Sequence, residues 1–143
     1  MEPKLFFISS LPCALWGAAS DRVIIAVHGA QSHKKDLPFR LLAETFGDCQ
    51  VLSFDLPEHG ERQNQLPLCK FSVCVQDLSA VFDYAASRWA HIGLFAVSMG
   101  AYCSLLACKN RLVKHAWFLS PVVNMEHLIK NMMIWFQTRT CMS

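Results

Sequence analysis

Short apolar runs alternate along this chain with amphipathic helical patterns, and this alternation constrains the fold more than any other feature. The runs at residues 23–27, 50–54, 91–97 and 115–119 have the length of strands and are continuous and rich in β-branched or aromatic residues. Such runs are typical of strands that are buried on both faces. Strands that alternate with helices form right-handed β-α-β crossovers. We therefore expect an α/β fold with a mostly parallel sheet and helices on both faces.

Three helices are predicted between these strands. The first spans residues 35–46 and ends before Gly47, a residue typical of helix ends. The second spans residues 72–89, where apolar residues recur at spacings of three and four and form a core-facing stripe. The third spans residues 99–109 and follows the strand at 91–97 without a break.

The N-terminal segment admits two interpretations. Lys4, the apolar run after it and a stretch of small residues resemble a secretory signal peptide. Turn-forming residues at 9–12, however, divide the run into strand-length pieces at 5–8 and 13–16, and Glu2 weakens the positive charge that a signal peptide needs. We therefore predict an N-terminal β-hairpin.

Composition and charge exclude several classes of function. The net charge is +2, and basic residues cluster only at Lys34 and Lys35, so the electrostatic footprint of a nucleic-acid-binding protein is absent. No apolar run reaches the length of about 18 residues that a membrane span requires. The seven cysteines include no C-x-x-C pair and indicate reduced thiols in a cytoplasmic protein. None of the six histidines has metal-ligand spacing, so we expect neither a metal nor a cofactor.

The segment from Leu94 to Tyr102 (LFAVSMGAY) places a serine between a buried strand and a helix. Ser98 would then lie on a sharp turn at the carboxyl edge of the sheet, close to the N-terminus of the next helix. Strand and helix approach closely at such a turn, which requires small residues two positions before and after the serine; Ala96 and Gly100 meet this requirement. The alternative is an ordinary turn serine, but the flanking strand and helix favour a nucleophile.

Three motifs, in this order and spacing, resemble those of the α/β-hydrolase family, especially its serine esterase, monoacylglycerol-lipase-like and serine-aminopeptidase-like members. The sequence VHGA at 27–30 looks like the family's H-G-x turn. The sequence FDLPEHGER at 54–62 is similar to its D-x-x-G-H-G-x-S loop, with Glu58 and Arg62 in place of the usual Gly and Ser. The third motif is the turn at Ser98, where the family pattern is G-x-S-x-G.

The resemblance covers roughly residues 23–123 and implies a role for each matching position. It implies that Ser98 is the nucleophile and that the backbone N–H groups of Ala30 and Met99 form the oxyanion hole. The expected substrate is a small molecule with an ester, thioester or amide bond. The residues that the resemblance implies as motif or structural support are His28, Gly29, Asp55, His59, Gly60, Ala96 and Gly100.

The same resemblance divides the chain into the N-terminal part of a hydrolase core at 1–123 and the start of a lid at 124–143. In the family the catalytic acid and histidine follow the lid, so we expect both to be absent from this chain. His91 and His115 begin strands at the opposite edge of the sheet and should not reach the serine. His127 is a weak candidate for the base because it lies in the expected lid.

Two classes of function therefore stay open. The chain is either part of a serine hydrolase that acts through an acyl-enzyme on Ser98, or a truncated, degenerate hydrolase that acts as a binding or assembly protein. In either case we expect the exposed sheet edge and the apolar C-terminal segment to favour self-association. The sequence does not indicate which acyl group would be handled.

Overall fold

The computed structural model describes residues 1–63 and 71–119, which form a sheet with helices on both faces. In chain order the elements are β1 (Lys4–Ile8), β2 (Leu11–Trp16), β3 (Arg22–Val27), α1 (Leu37–Thr45), β4 (Gln50–Phe54), a 3₁₀ helix (Gly60–Arg62), α2 (Phe71–Ala86), β5 (His91–Val97), α3 (Met99–Ala107) and β6 (Ala116–Leu119). The described strands make one six-stranded sheet in the order β1-β2-β4-β3-β5-β6. The predicted fold class is confirmed.

The first two strands form the predicted hairpin. They pair antiparallel from Lys4 opposite Leu15 to Ile8 opposite Leu11, around a turn in which Ser9 has a φ of 56°. The second strand, β2, also pairs antiparallel with β4. The hairpin therefore extends the main sheet at one edge.

The other four strands are parallel, which brings their carboxyl ends to the same edge of the sheet. The central strand β3 pairs with β4 on one side and with β5 on the other, and β5 pairs with β6. Val27, the last residue of β3, lies opposite Ala96 of β5. The turns that follow β3 and β5 are therefore neighbours, and the candidate site lies there.

Apolar side chains fill both faces of the sheet. On one face, Phe39 and Ala43 of α1 pack against Ile24, Ala26 and Val51. The other face packs against α2 and α3 in a larger cluster that includes Val23, Ile25, Leu52, Leu78, Phe82, Leu94 and Ala101. Each face has its own cluster of buried residues because successive side chains of a strand point to opposite sides.

Most strand limits lie within one residue of those predicted, but β2 begins at Leu11 and not at 13, because Leu11 and Pro12, predicted in the turn, pair with β1. Helix limits differ by two or three residues at several ends. The first helix begins at Leu37 because the carboxylate of Asp36 accepts the N–H of Leu37 and a proline, Pro38, occupies the first turn. The second ends at Ala86, before the predicted limit of 89. The predicted lid at 124–143, and the boundary before it, lie outside the described residues. In the part of the chain that the structure describes, no helix is long and apolar enough to cross a bilayer.

Candidate active site

Ser98 lies on a strained turn between β5 and α3. Its φ and ψ are 50° and −115°, a region that side-chain-bearing residues rarely adopt and that typically costs about 1–3 kcal/mol. The N–H of Ser98 donates to the carbonyl of Leu119 at 2.9 Å, which ties the turn to the end of β6. The hydroxyl makes no capping bond to α3. The turn is thus fixed through its backbone, and the side chain is not used to hold it.

The small residues around Ser98 are required by close contacts with the turn after β3. A Cβ atom on Gly100 would overlap the carbonyl oxygen of His28 and lie 2.9 Å from that of Val27. A Cβ atom on Gly29 would lie 3.3 Å from the Cβ of Ser98. Ala96 is fully buried opposite Val27. These contacts explain physically why the sequence has small residues at these positions.

Ser98 lines a cavity of about 190 Å³ at the carboxyl edge of the sheet. The turn after β3 contributes His28, Gly29 and Ala30 to its wall. The remaining lining residues are Ser32, Asp36, Pro38, Phe39, Val97 and Leu119. The lining residues therefore combine apolar side chains with two serines, an aspartate and the backbone of two turns.

The turn after β3 and the start of α3 each place a backbone N–H group at this edge. Among the described residues, no acceptor is paired with the N–H of Ala30 or of Met99. Met99 is the first residue of α3, where N–H groups have no partner within the helix and the helix dipole is positive. Donors of this kind can stabilise a negative charge on a bound ligand.

His28 is a buried, neutral link between two turns. Its Nδ1 contacts the carbonyl of Gly29 at 2.7 Å, and its Nε2 accepts the N–H of Leu56 at 3.0 Å. Because Nε2 is an acceptor, the ring proton is on Nδ1 and donates to Gly29. Burial lowers the pKa of His28 to about 4, although the bond to Gly29 acts in the opposite direction. His28 therefore holds the turn after β3 against the turn after β4 and has no lone pair left to accept a proton.

Asp55 forms a buried ionic centre with Lys34. Its carboxylate accepts the backbone N–H of Lys34 at 2.8 Å, the Nζ of Lys34 at 2.6 Å and the backbone N–H of Glu61 at 3.0 Å. The Nζ of Lys34 also lies 3.1 Å from a carboxylate oxygen of Glu61. Burial alone would raise the pKa of Asp55, but the hydrogen bonds from Lys34 outweigh it and the pKa is lowered. Both groups are charged, and they fasten the loop that carries Ala30 to the loop after β4.

Gly60 and Arg62 make further contacts that hold the loop after β4 in place. Gly60 has a φ of 54°, and a Cβ atom there would overlap the carboxylate of Asp55. Arg62 donates to the backbone carbonyl of Asp55 at 3.1 Å and to the carboxylate of Asp77 on α2 at 2.6 Å. His59 contacts the carbonyl two residues before it through Nδ1, at 2.8 Å, and its ring centre lies 5.0 Å from that of His28. This motif is therefore a structural support beside the cavity.

The importance of Lys34 and Asp36 cannot be read from the sequence motifs. Lys34 is 4% exposed, whereas its neighbour Lys35 is exposed, and nothing in the sequence distinguishes the two. Asp36 has a detectable signal, since an aspartate before a Leu-Pro pair is typical of a helix N-cap. Its place on the wall of the cavity depends on the tertiary structure.

The remaining described histidines are not brought to Ser98. His91 and His115 line a separate cavity of about 250 Å³ at the amino ends of β5 and β6. His33 is exposed and accepts the N–H of Lys35. His127 lies outside the described residues. Within residues 1–63 and 71–119, no three metal-ligating side chains are grouped so as to hold a metal ion.

Comparisons with known proteins identify the fold. No protein-family model and no curated protein match the chain. An esterase of Pyrococcus furiosus is 20% identical with a TM-score of 0.74, and the match covers 96% of this chain and 56% of that one. A cold-adapted esterase from an Arctic intertidal metagenomic library is 21% identical with a TM-score of 0.65, and the match covers 81% of this chain and 58% of that one. A monoacylglycerol lipase of Paleococcus ferrophilus is 18% identical with a TM-score of 0.66, and the match covers 80% of this chain and 44% of that one.

The chain spans about half the length of these solved structures, and at such identities the likeness establishes the fold alone. The match to the Pyrococcus furiosus esterase covers 96% of this chain and therefore nearly all of its sheet and helices. The chain therefore has the α/β-hydrolase fold and corresponds to its N-terminal portion.

Proposed function

We propose that this chain carries the nucleophile and the oxyanion hole of a serine hydrolase. Ser98 is the nucleophile, and the N–H groups of Ala30 and Met99 are the oxyanion donors. The observation that carries the proposal is the strained turn at Ser98, because backbone strain persists at a site when the surrounding structure holds it there. Ala30 lines the same cavity as the serine, and its N–H has no acceptor among the described residues.

The reaction is acyl transfer to the serine. The Oγ of Ser98 attacks the carbonyl carbon of an ester, thioester or amide and loses its proton to a base, while the carbonyl oxygen becomes an oxyanion. The bond to the leaving group then breaks, the leaving group takes a proton, and water later hydrolyses the acyl-enzyme. Removal of one oxyanion donor typically costs about 3–4 kcal/mol in the transition state.

The base and its acidic partner come from outside the described residues. His28 is excluded because both of its ring nitrogens are engaged in hydrogen bonds. The described residues alone should therefore support only slow acylation and negligible turnover, since a site without its base retains only the contribution of the oxyanion hole and of binding.

Two further observations fit this proposal. The similar solved structures include esterases and a monoacylglycerol lipase, which supports a small acyl compound as the substrate. No disulfide joins any of the described cysteines, which fits a reducing, cytoplasmic environment.

Covalent labelling of Ser98 tests the proposal directly. The chain is incubated with an alkyl fluorophosphonate, and the modified residue is located by mass spectrometry. We expect slow stoichiometric labelling at Ser98, no labelling in Ser98→Ala, and unchanged labelling in Ser87→Ala, in which an exposed serine outside the cavity is removed. Turnover of a p-nitrophenyl ester is measured on the same samples.

Three results would contradict the proposal. A folded wild-type chain that is not labelled would favour the degenerate, non-catalytic alternative. Labelling that persists in Ser98→Ala would place the reactive group elsewhere. Ordinary steady-state turnover that persists in His127→Ala would show that a base is already present among the described residues.

A further inference from the structure

The residues that line the cavity beside Ser98 include one with a carboxylate, Asp36, and no described residue forms an ion pair with it. Among residues 1–63 and 71–119, Asp36 takes part in no ion pair. By contrast, the neighbouring buried carboxylate of Asp55 is paired with Lys34. The hydrogen bond from Ser32 and the N–H of Leu37 lower the pKa of Asp36, so the group is ionised at neutral pH.

Helix capping accounts for only part of this arrangement. One oxygen of Asp36 accepts the N–H of Leu37 at 2.9 Å, and the other accepts the hydroxyl of Ser32. An asparagine caps a helix about as well as an aspartate, so the cap does not require the negative charge. A carboxylate offers about four lone-pair positions, and two of them are occupied here. The remaining capacity is available to a ligand in the cavity.

The size of the cavity limits what reaches this carboxylate. Its volume of about 190 Å³ is smaller than the roughly 300–1,000 Å³ of sites for drug-sized ligands, so it suits a small group. Phe39, Val97 and Leu119 give the rest of the wall an apolar surface. A short carbon chain fits such a wall, and a cationic group at its end would meet the charge of Asp36 in partly dry surroundings, where charge-assisted hydrogen bonds are strong.

We propose that this cavity selects a short acyl group that carries an ammonium group, which Asp36 binds while the carbonyl lies at Ser98. This inference rests on the proposed function, because it assigns the acyl group of the same reaction. Asp36 acts as a specificity residue, and Ser32 orients its carboxylate. An acyl group with a terminal carboxylate would be rejected, since like charges repel.

A pair of esters of equal size tests the selectivity. p-Nitrophenyl 3-aminopropanoate and p-nitrophenyl butanoate differ by an ammonium group in place of a methyl group. The rate of stoichiometric p-nitrophenol release is measured for each, corrected for uncatalysed hydrolysis, and the acyl group on Ser98 is verified by mass spectrometry. We expect the wild-type chain to favour the amino ester about tenfold, as one charge-assisted hydrogen bond provides.

Variants assign this preference to Asp36. Asp36→Asn keeps the helix cap and should abolish the preference for the amino ester. Ser32→Ala should reduce it, because the carboxylate loses one of its two fixed contacts. Asp83→Asn is the matched control, since it removes a carboxylate that is exposed, paired with Arg111 and absent from the cavity wall. An equal preference in wild type and Asp36→Asn would overturn the inference.

A binding measurement separates this inference from the proposed function. In Ser98→Ala, which cannot be acylated, NMR titration compares 3-aminopropanamide with butanamide. Tighter binding of the amino amide, lost on Asp36→Asn, supports the inference even if neither ester acylates the wild-type chain. If the esters acylate Ser98 equally well and the two amides bind alike, the hydrolase proposal stands and the assignment of the acyl group is wrong.

Discussion

The buried pair of Lys34 and Asp55 gives a stability prediction with a magnitude that follows from its contacts. In Lys34→Met the side-chain length is nearly kept, but the Nζ that lies 2.6 Å from the carboxylate is removed. Removal of one partner of a buried ion pair typically costs about 3–5 kcal/mol because the other charge stays buried. Two backbone N–H groups, those of Lys34 and Glu61, still donate to Asp55 in this variant. We therefore expect a loss of about 3 kcal/mol, at the lower end of that range.

Urea denaturation at neutral pH measures this loss against a neighbouring control. Lys35→Met removes the same type of side chain from an exposed position and should change the free energy of unfolding by no more than about 0.5 kcal/mol. Asp55→Asn in the Lys34→Met background should cost less than Asp55→Asn alone, with a coupling of about 1–3 kcal/mol. Equal effects of Lys34→Met and Lys35→Met would refute the reasoning.

The pH dependence of the free energy of unfolding gives a second test of this ion pair. The pKa of Asp55 is lowered in the fold, so its contribution is present above the unfolded value of about 3.9 and is lost as the pH falls through the lower folded pKa. Burial acts to lower the pKa of Lys34, but its bonds to Asp55 and Glu61 raise it overall. Its contribution is therefore present below about 10.4 and is lost as the pH rises through the higher folded pKa.

In Lys34→Met the pKa of Asp55 should be raised and no longer lowered, because burial then outweighs the remaining hydrogen bonds. Protonation at acid pH removes the uncompensated charge, so the stability deficit of this variant should shrink as the pH is lowered. A deficit that is constant from neutral to acid pH would mean that lost packing, and not a buried charge, is responsible.

Three further predictions concern the turns and the sheet edge. Ser98→Gly should be about 1 kcal/mol more stable than Ser98→Ala in urea denaturation, because glycine adopts a positive φ without steric strain. An equal or lower stability of Ser98→Gly would argue against strain at this turn. Gly100→Ala should cost about 1–3 kcal/mol because its Cβ meets two backbone carbonyls, whereas Gly47→Ala, with nothing within 4 Å, should be harmless; similar melting temperatures for the two would contradict the close contact. The exposed side chains of β6 should make the chain associate with rising concentration, and Phe118→Glu should reduce the sedimentation coefficient; a wild-type chain that stays monomeric would refute this.

The strands could be predicted from the sequence because strands buried on both faces consist of continuous apolar residues. The limits of β4 and β5 agree with those predicted, since each run is bounded by polar or turn-forming residues. Helix ends were less accurate because capping contacts determine them. The hydrogen bond that the N–H of Leu37 donates to Asp36, for example, places the start of α1 two residues after the predicted start at 35.

The candidate site was predictable only in its backbone. Its three turns follow from motifs with fixed spacing, and parallel pairing of β3 with β5 brings two of them together. The burial of Lys34 was not predictable, because it depends on Asp55, which arrives from a different strand and is distant in sequence. The same holds for Asp36, whose approach to the cavity of Ser98 depends on the path of the loop between β3 and α1.

The positions of the described histidines determine which steps of the proposed reaction the described residues can carry out. His28 has no free nitrogen, His59 contacts a backbone carbonyl and does not line the cavity, and His91 and His115 lie at the opposite edge of the sheet. In the proposed reaction, the proton of Ser98 therefore passes to a group outside the described residues. The strained turn at Ser98 and the N–H groups that we propose as oxyanion donors, by contrast, are held by contacts among β3, β5, the loops after them and the end of β6. It follows that labelling of Ser98 and catalytic turnover are separable properties. Substitutions that loosen these loops should reduce labelling even where no base is present.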